Sequence, residues 1–287
     1  MKLRFSADWR TLVWAFVLFP LAPALVLWRP SLLPWVAPLL LYCSYLAGVL
    51  SHNHNHCAVF TGRRANLLYG AYLSFFYGFP SFAWVPTHNQ NHHRFLNGEG
   101  DATSTSRHSE HDNLRAALTY PLASAGFQRP LVLSYARAAL RAHPARRQRI
   151  VLETATLVVG HAAALGLFVM RHGWAVGVGG YVLALGLPAL LGTYWMMLTN
   201  YLQHVGCEPG SAHDHSRNFV SPFWNWFVFD NGLHTVHHEH PGVHWSRYRA
   251  LHEQRTAQIS PHLNHGSIFG YVARRYLRSR GRGPAHA

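Results

Sequence analysis

Nine histidines fall into four short clusters: His52 and His56; His88, His92 and His93; His204; and His234, His237 and His238. Spacings of three or four residues put imidazoles on one helix face, about 5–6 Å apart at Cβ, the separation a shared metal needs. The patterns H-x-x-x-H-H at 88–93 and H-x-x-H-H at 234–238 both abut aromatic, apolar segments. With 23 histidines in the chain, one isolated pair at spacing four would mean little. Four clusters, each at the end of an apolar run, point to a polymetal site at a membrane surface. The other histidines lack a consistent partner spacing and read as ordinary side chains; His54 and His240, inside or beside a cluster, are the nearest to exceptions.

The elements that must position these residues are apolar. Of 287 residues only 13% are charged and 14% are aromatic, a composition that fits a membrane protein better than a soluble fold. Five uncharged windows occur, at 11–28, 30–51, 66–91, 154–170 and 172–203, all near or above the length of a bilayer span. If the clusters share metals, the third does not cross. A crossing there would leave the first two clusters on opposite faces, roughly 30 Å of hydrocarbon apart. It also carries Gly70, Gly78, Pro80 and Pro86 among many aromatics, which suits an interfacial or re-entrant element. The expectation is an all-α, multi-pass membrane protein in one domain over 1–287. It would have four transmembrane helices near 11–28, 30–51, 154–170 and 174–199, a membrane-embedded hairpin at 66–86, and a cytoplasmic helical cap carrying the histidines, with basic cytoplasmic segments at 94–150 and 246–287.

Charge sets the orientation. Of 25 basic residues, one is lysine, Lys2. The two outer turns hold only Arg29 and Arg171, so by the positive-inside rule the other side, with all four clusters and both termini, is cytoplasmic. Lys2, Arg4 and Arg10 precede an apolar core too long for a signal peptide, so 11–28 reads as the first helix. Cys43, Cys57 and Cys207 are too few and too scattered for a disulfide framework and read as packing residues. Arginines between 107 and 149, and Arg274, Arg275, Arg278, Arg280 and Arg282 in the tail, suit a phospholipid-facing surface or docking of an acidic electron-donor protein. They form no groove-reading motif, which argues against nucleic acid.

The last window explains how a mid-chain ligand reaches the site. As one helix its residues would measure about 48 Å, against a hydrocarbon core near 30 Å. The excess projects into the cytoplasm with Asn200 and His204 on one face. Nine imidazoles and an amide suit two metals with positions open for oxygen. Imidazole alone does not choose among Zn, Cu, Fe and Ni, but a site at the mouth of a bilayer meets unactivated C–H bonds, and those call for a redox metal with oxygen.

The stretches His52-Asn-His-Asn-His56, His88-Asn-Gln-Asn-His92-His93, Asn200-Tyr-Leu-Gln-His204 and His234-Thr-Val-His237-His238-Glu239-His-Pro241 resemble the histidine boxes of the membrane fatty acid desaturase superfamily, which includes related hydroxylases. The resemblance covers about residues 10 to 250. It implies a diiron centre bound by the nine histidines, with Asn200 acting on one iron through a water and O2 as co-substrate. It further implies a mushroom-like fold with a hydrophobic tunnel for the acyl chain. Metal-bound imidazoles usually donate their second ring N–H to a carboxylate or carbonyl, and Asp101, Asp230 and Glu239 are the candidate acceptors. The first box has three residues between its histidines, nearer the acyl-lipid branch than many acyl-CoA desaturases. His240-Pro-Gly-Val lies inside the last box and no haem domain is fused, so a separate ferredoxin-like or cytochrome b-type donor is expected. The expected activity is desaturation of a lipid-linked acyl chain. The alternatives are hydroxylation or another lipid oxidation on the same scaffold and, in another class, a non-catalytic histidine-rich metal transporter, which would need polar residues along its spans.

Overall fold

Uncharged sequence becomes helix here because an unpaired backbone amide or carbonyl in hydrocarbon costs several kcal/mol, and a helix pairs them all internally. The computed structural model describes residues 2–278; Arg280, Arg282 and His286 lie outside the described residues. Four helices are long and apolar enough to cross a membrane: α1 (Asp8–Trp28), α2 (Pro30–His56), α6 (Pro144–His172) and α7 (Trp174–His204). The protein is an all-α, multi-pass membrane protein. Helices α1 and α6 outrun their uncharged windows, because helix geometry continues where charge resumes: Asp8 and Arg10 extend α1, and Arg146, Arg147 and Arg149 open α6. Between them lie α3 (Arg63–Tyr77), the wide-turned α4 (Val85–His92) and α5 (Leu114–Ala142). After α7 come short α8 (Pro222–Phe227), α9 (His234–Glu239), α10 (Tyr248–Arg255) and α11 (Ile268–Val272), with β1 (Asn218–Phe219) and β2 (Asn264–His265) paired in parallel.

The chain divides into two compact units, Met1–Asn89 with Arg129–Met196 and Gln90–Gln128 with Met197–Ala287. In the first, Ala22 and Val26 of α1, Val36 and Leu40 of α2, Phe168 of α6 and Leu185 of α7 share one apolar core. Their other faces show large apolar side chains outward, as lipid requires. Trp28, Trp35 and Trp174 stand exposed beside the turns at Arg29 and Gly173, an aromatic belt of the kind found at membrane interfaces.

Helix α3 packs between α2 and α6. Its 15 residues span about 22 Å, short of a hydrocarbon core near 30 Å. Gly78 ends it at φ 72°, where a Cβ would drive into Ala189, and the chain turns back. Both ends of the segment return to the same turn of α2: the Asn66 carbonyl lies 3.2 Å from His54 Nε2, and Asn89 Nδ2 donates to the Asn55 carbonyl at 3.1 Å. The stretch therefore enters and leaves on one side, as a re-entrant hairpin.

The hairpin is pinned by a buried carboxylate. Glu153 of α6 is fully buried; it accepts the Phe82 backbone N–H and, at 2.7 Å, Arg149 Nε, while Arg149 Nη2 donates to Asn55 Oδ1 at 2.7 Å. Asn55 Nδ2 in turn donates to Ser81 Oγ at 2.9 Å. Gly70 lets α3 approach, since a Cβ there would stand 2.9 Å from Glu153 Oε1.

Candidate metal centre

Three segments of the second unit deliver four imidazoles to one point. The end of α7 carries His204 and is held by Arg217, whose Nη1 and Nη2 donate to the Leu202 and Val205 carbonyls while its guanidinium lies 4.5 Å over the Tyr271 ring. Helix α9 carries His234, His237 and His238. Its start is clamped by Asn218 on β1, which accepts the Thr235 N–H at 3.0 Å and donates to Thr235 Oγ1 at 2.9 Å. The loop before it turns through positive φ at Phe229 and Asp230, and Asn225 bridges that loop by donating to the Phe219 carbonyl and accepting from Gly232 N–H. Helix α4 ends on His92, and His93 follows it. The i→i+5 turns of α4 are of the type that collects at functional sites.

The Nε2 atoms of His92 and His204 are 3.1 Å apart, those of His204 and His234 3.0 Å, those of His234 and His238 3.0 Å, and those of His238 and His204 3.3 Å. Metal–nitrogen bonds of about 2.0–2.1 Å put neighbouring ligands about 3.0–3.4 Å apart. The outer ring nitrogens decide the tautomer. His204 Nδ1 lies 3.1 Å from the His215 carbonyl, which can only accept, so Nδ1 carries the proton and Nε2 a lone pair. His92 Nδ1 lies 2.7 Å from Asp101 Oδ2. Thr103 Oγ1, itself donating to Asp101 Oδ1 at 2.8 Å, sits 2.9 Å from the same nitrogen. Lone pairs aimed at a common point cannot bond one another, and a cation resolves that conflict. The donor set therefore fits a metal bound by neutral imidazole.

Electrostatics agree. Burial, reinforced by neighbouring histidines His234 and His93, holds the His238 pKa well below its ordinary value, so the ring stays neutral. Burial alone would raise the Asp101 pKa, but His92 beside it and hydrogen bonds from His92 and Thr103 outweigh this and hold its carboxyl below the usual range. His93 Nε2 stands 3.1 Å from His237 Nε2, and His237 Nδ1 is 3.0 Å from Tyr248 Oη.

The first unit holds its own group. His52 Nε2 and His88 Nε2 are 2.9 Å apart, and the His56 ring centre lies 4.8 Å from that of His52 and 5.1 Å from that of His88. Trp84 packs edgewise on both His52 and His88. His54 is turned away: it spans the Asn66 carbonyl and the Val59 N–H, a structural role.

Of the three carboxylates singled out by sequence, Asp101 grips a box histidine. Asp230 pairs with Arg249 at 3.0 Å, and Glu239 receives His213 at 2.7 Å and Arg255 at 3.2 Å. Asn200 Nδ2 donates to Tyr120 Oη at 2.9 Å, and Tyr120 Oη donates to the Thr103 carbonyl at 2.6 Å. Thr103, Tyr120, His215 and Tyr248 were not picked out as site residues by sequence. Thr103, two residues beyond the candidate Asp101, was the nearest to a residue already singled out.

A multi-pass helical membrane protein that gathers neutral imidazoles is the class that fold and site define. The fatty acid desaturase family model matches residues 30–266, a stretch that includes all nine box histidines and Asn200, and the chain belongs to that family. No curated protein and no solved structure matches it.

Proposed function

We propose that the protein is an O2-dependent, diiron oxidoreductase that introduces a C=C bond into a lipid-linked fatty acyl chain. The observation that carries this reading is the convergence of the His92, His204, His234 and His238 Nε2 atoms, with the His92 and His204 ring protons held outward, in a member of the fatty acid desaturase family. Those four residues would hold one iron. By the family resemblance His52, His56, His88, His93 and His237 would also serve as iron ligands, with Asn200 acting through a water. Bound and reduced, iron supplies oxygen chemistry able to take hydrogen from unactivated C–H bonds, which imidazole and carboxylate cannot do alone.

The chain's residues do the rest. Asp101 and Thr103 fix the His92 ring with its lone pair inward, the His215 carbonyl does the same for His204, and burial of all four rings keeps bulk water from them. The balance is simple: two hydrogens leave adjacent carbons, two electrons and two protons are supplied, and O2 departs as two waters. The electrons come from a separate ferredoxin-like or cytochrome b-type protein. Arg29 and Arg171 are the only basic residues at the turns opposite the boxes, which supports a cytoplasmic position for the boxes and both termini.

The test is the acyl profile of a host expressing the protein with iron and a competent donor, read by gas chromatography. A new unsaturated chain is expected. An unchanged profile overturns the proposal, and an alcohol moves it to hydroxylation.

A further inference from the structure

A cavity of about 250 Å³ in the first unit is lined by His54, Asn55, Arg63, Asn66, Ala145 and Arg149, among others, and no carboxylate lines it. Its neutral polar groups are already satisfied. His54 spans the Asn66 carbonyl and the Val59 N–H, the Asn66 amide accepts from Phe60 N–H and donates to its carbonyl, and Asn55 is bonded to Ser51, Ser81 and Arg149. What remains are cationic donors. Arg149 commits Nε to Glu153 and Nη2 to Asn55, leaving Nη1 without a partner among the described residues. The Arg63 side chain is exposed and likewise has no partner among them. The opposing carboxylate, Glu153, is fully buried and engaged on both oxygens.

Two guanidinium groups beside a cavity without a competing acid select an oxyanion, and arginine forks match phosphate geometry. The size is below the roughly 300–1,000 Å³ of sites for drug-sized ligands, so it suits a phosphate with its first ester carbons rather than a whole lipid. The location fits as well. His54 and Asn55 close the last turn of α2, and Ala145 and Arg149 open α6, where two membrane helices meet the headgroup layer. Basic pockets between membrane helices bind phospholipid head groups.

We propose that this cavity binds a phosphate group, carried by a membrane phospholipid or free in solution. The site uses none of the nine box histidines, so it stands or falls independently of the reaction.

The experiment takes the full chain in neutral detergent and titrates it with phosphatidylglycerol, diacylglycerol or inorganic phosphate, reading bound ligand by native mass spectrometry and the melting temperature. Two variants accompany it. Arg63→Gln removes a cationic donor, and Ala145→Glu puts a carboxylate into the cavity wall in the first turn of α6, where negative charge favours the helix; loss of binding there is not loss of fold. The expected result is phosphatidylglycerol binding at least tenfold tighter than diacylglycerol, weakened about tenfold by either variant with iron content unchanged. Inorganic phosphate binding with the same dependence on Arg63, but no lipid preference, assigns the site to a free anion. Absence of both, or binding indifferent to the two substitutions, overturns the proposal.

Discussion

At Asp101 the candidate metal site is held by a group that lies behind the imidazole cluster. Its carboxylate accepts from His92 and is itself bonded by the Thr103 hydroxyl and the Asn97 and Thr103 N–H groups. Asp101→Asn keeps the shape and removes the charge. Loss of such a partner typically costs 10–100-fold in metal affinity, so iron content at limiting iron should fall toward half that of the parent, measured by plasma mass spectrometry; equal content in the two proteins would show that Asp101 does not set affinity. Thr103→Val should cost less, since the carboxylate stays. The histidines that cluster were readable in the sequence because imidazoles on one helix face recur at helical spacing. Their supports were less so. The carbonyl of His215 orients His204 through the backbone, which leaves no side-chain signature, and Tyr248 meets His237 from the following helix. Beside the last box, Asp230 pairs with Arg249, and Glu239 with His213 and Arg255.

Among the elements, the re-entrant hairpin depends on its turn. Gly78 sits at φ 72° with Ala189 against its Hα. An L side chain in that region costs roughly 1–2 kcal/mol before any collision. Gly78→Ala should therefore lower the melting temperature of the purified protein by several degrees, and an unchanged melt would mean that the turn relaxes freely. The hairpin was legible through a constraint rather than through hydropathy: two clusters could share metals only from the same side of a bilayer. Its inner divisions were not, because an uncharged run does not mark where α3 stops, and only Gly78 and Pro80 signalled it. The β1–β2 pair gives a pH prediction. Burial, then Arg217, Arg274 and His262, push the His265 pKa down to about 4 from 6.5. The unfolded chain takes up this proton near pH 6.5 and the folded chain only near 4, so stability contributed here is intact above 6.5 and lost as pH falls through that window. His265→Asn should move the acid unfolding midpoint, followed by circular dichroism, to lower pH; a midpoint that stays put excludes His265 as a contributor.

For the molecule as a whole, sidedness is the property to check. With Cys43, Cys57 and Cys207 replaced by alanine, a cysteine at Ser31, in the first turn of α2, should react with an impermeant maleimide on intact cells. One at Glu110, in the second unit, should react only after lysis. The reverse pattern would invert the proposed topology. The four spans and their number were plain in the sequence because bilayer thickness dictates their length. The compact units were not, since each is assembled from two separate stretches of chain. That interleaving bears on biogenesis. His92 precedes His204, its near neighbour, by 112 residues, so at a translation rate of about 5–20 residues per second it waits roughly 6–20 s in the nascent chain before that ring exists. Stalled or truncated polypeptides ending short of His238 lack part of the set, so a metal held by all four rings would be captured only after His238 is made, which would make its uptake a natural checkpoint for quality control in the membrane.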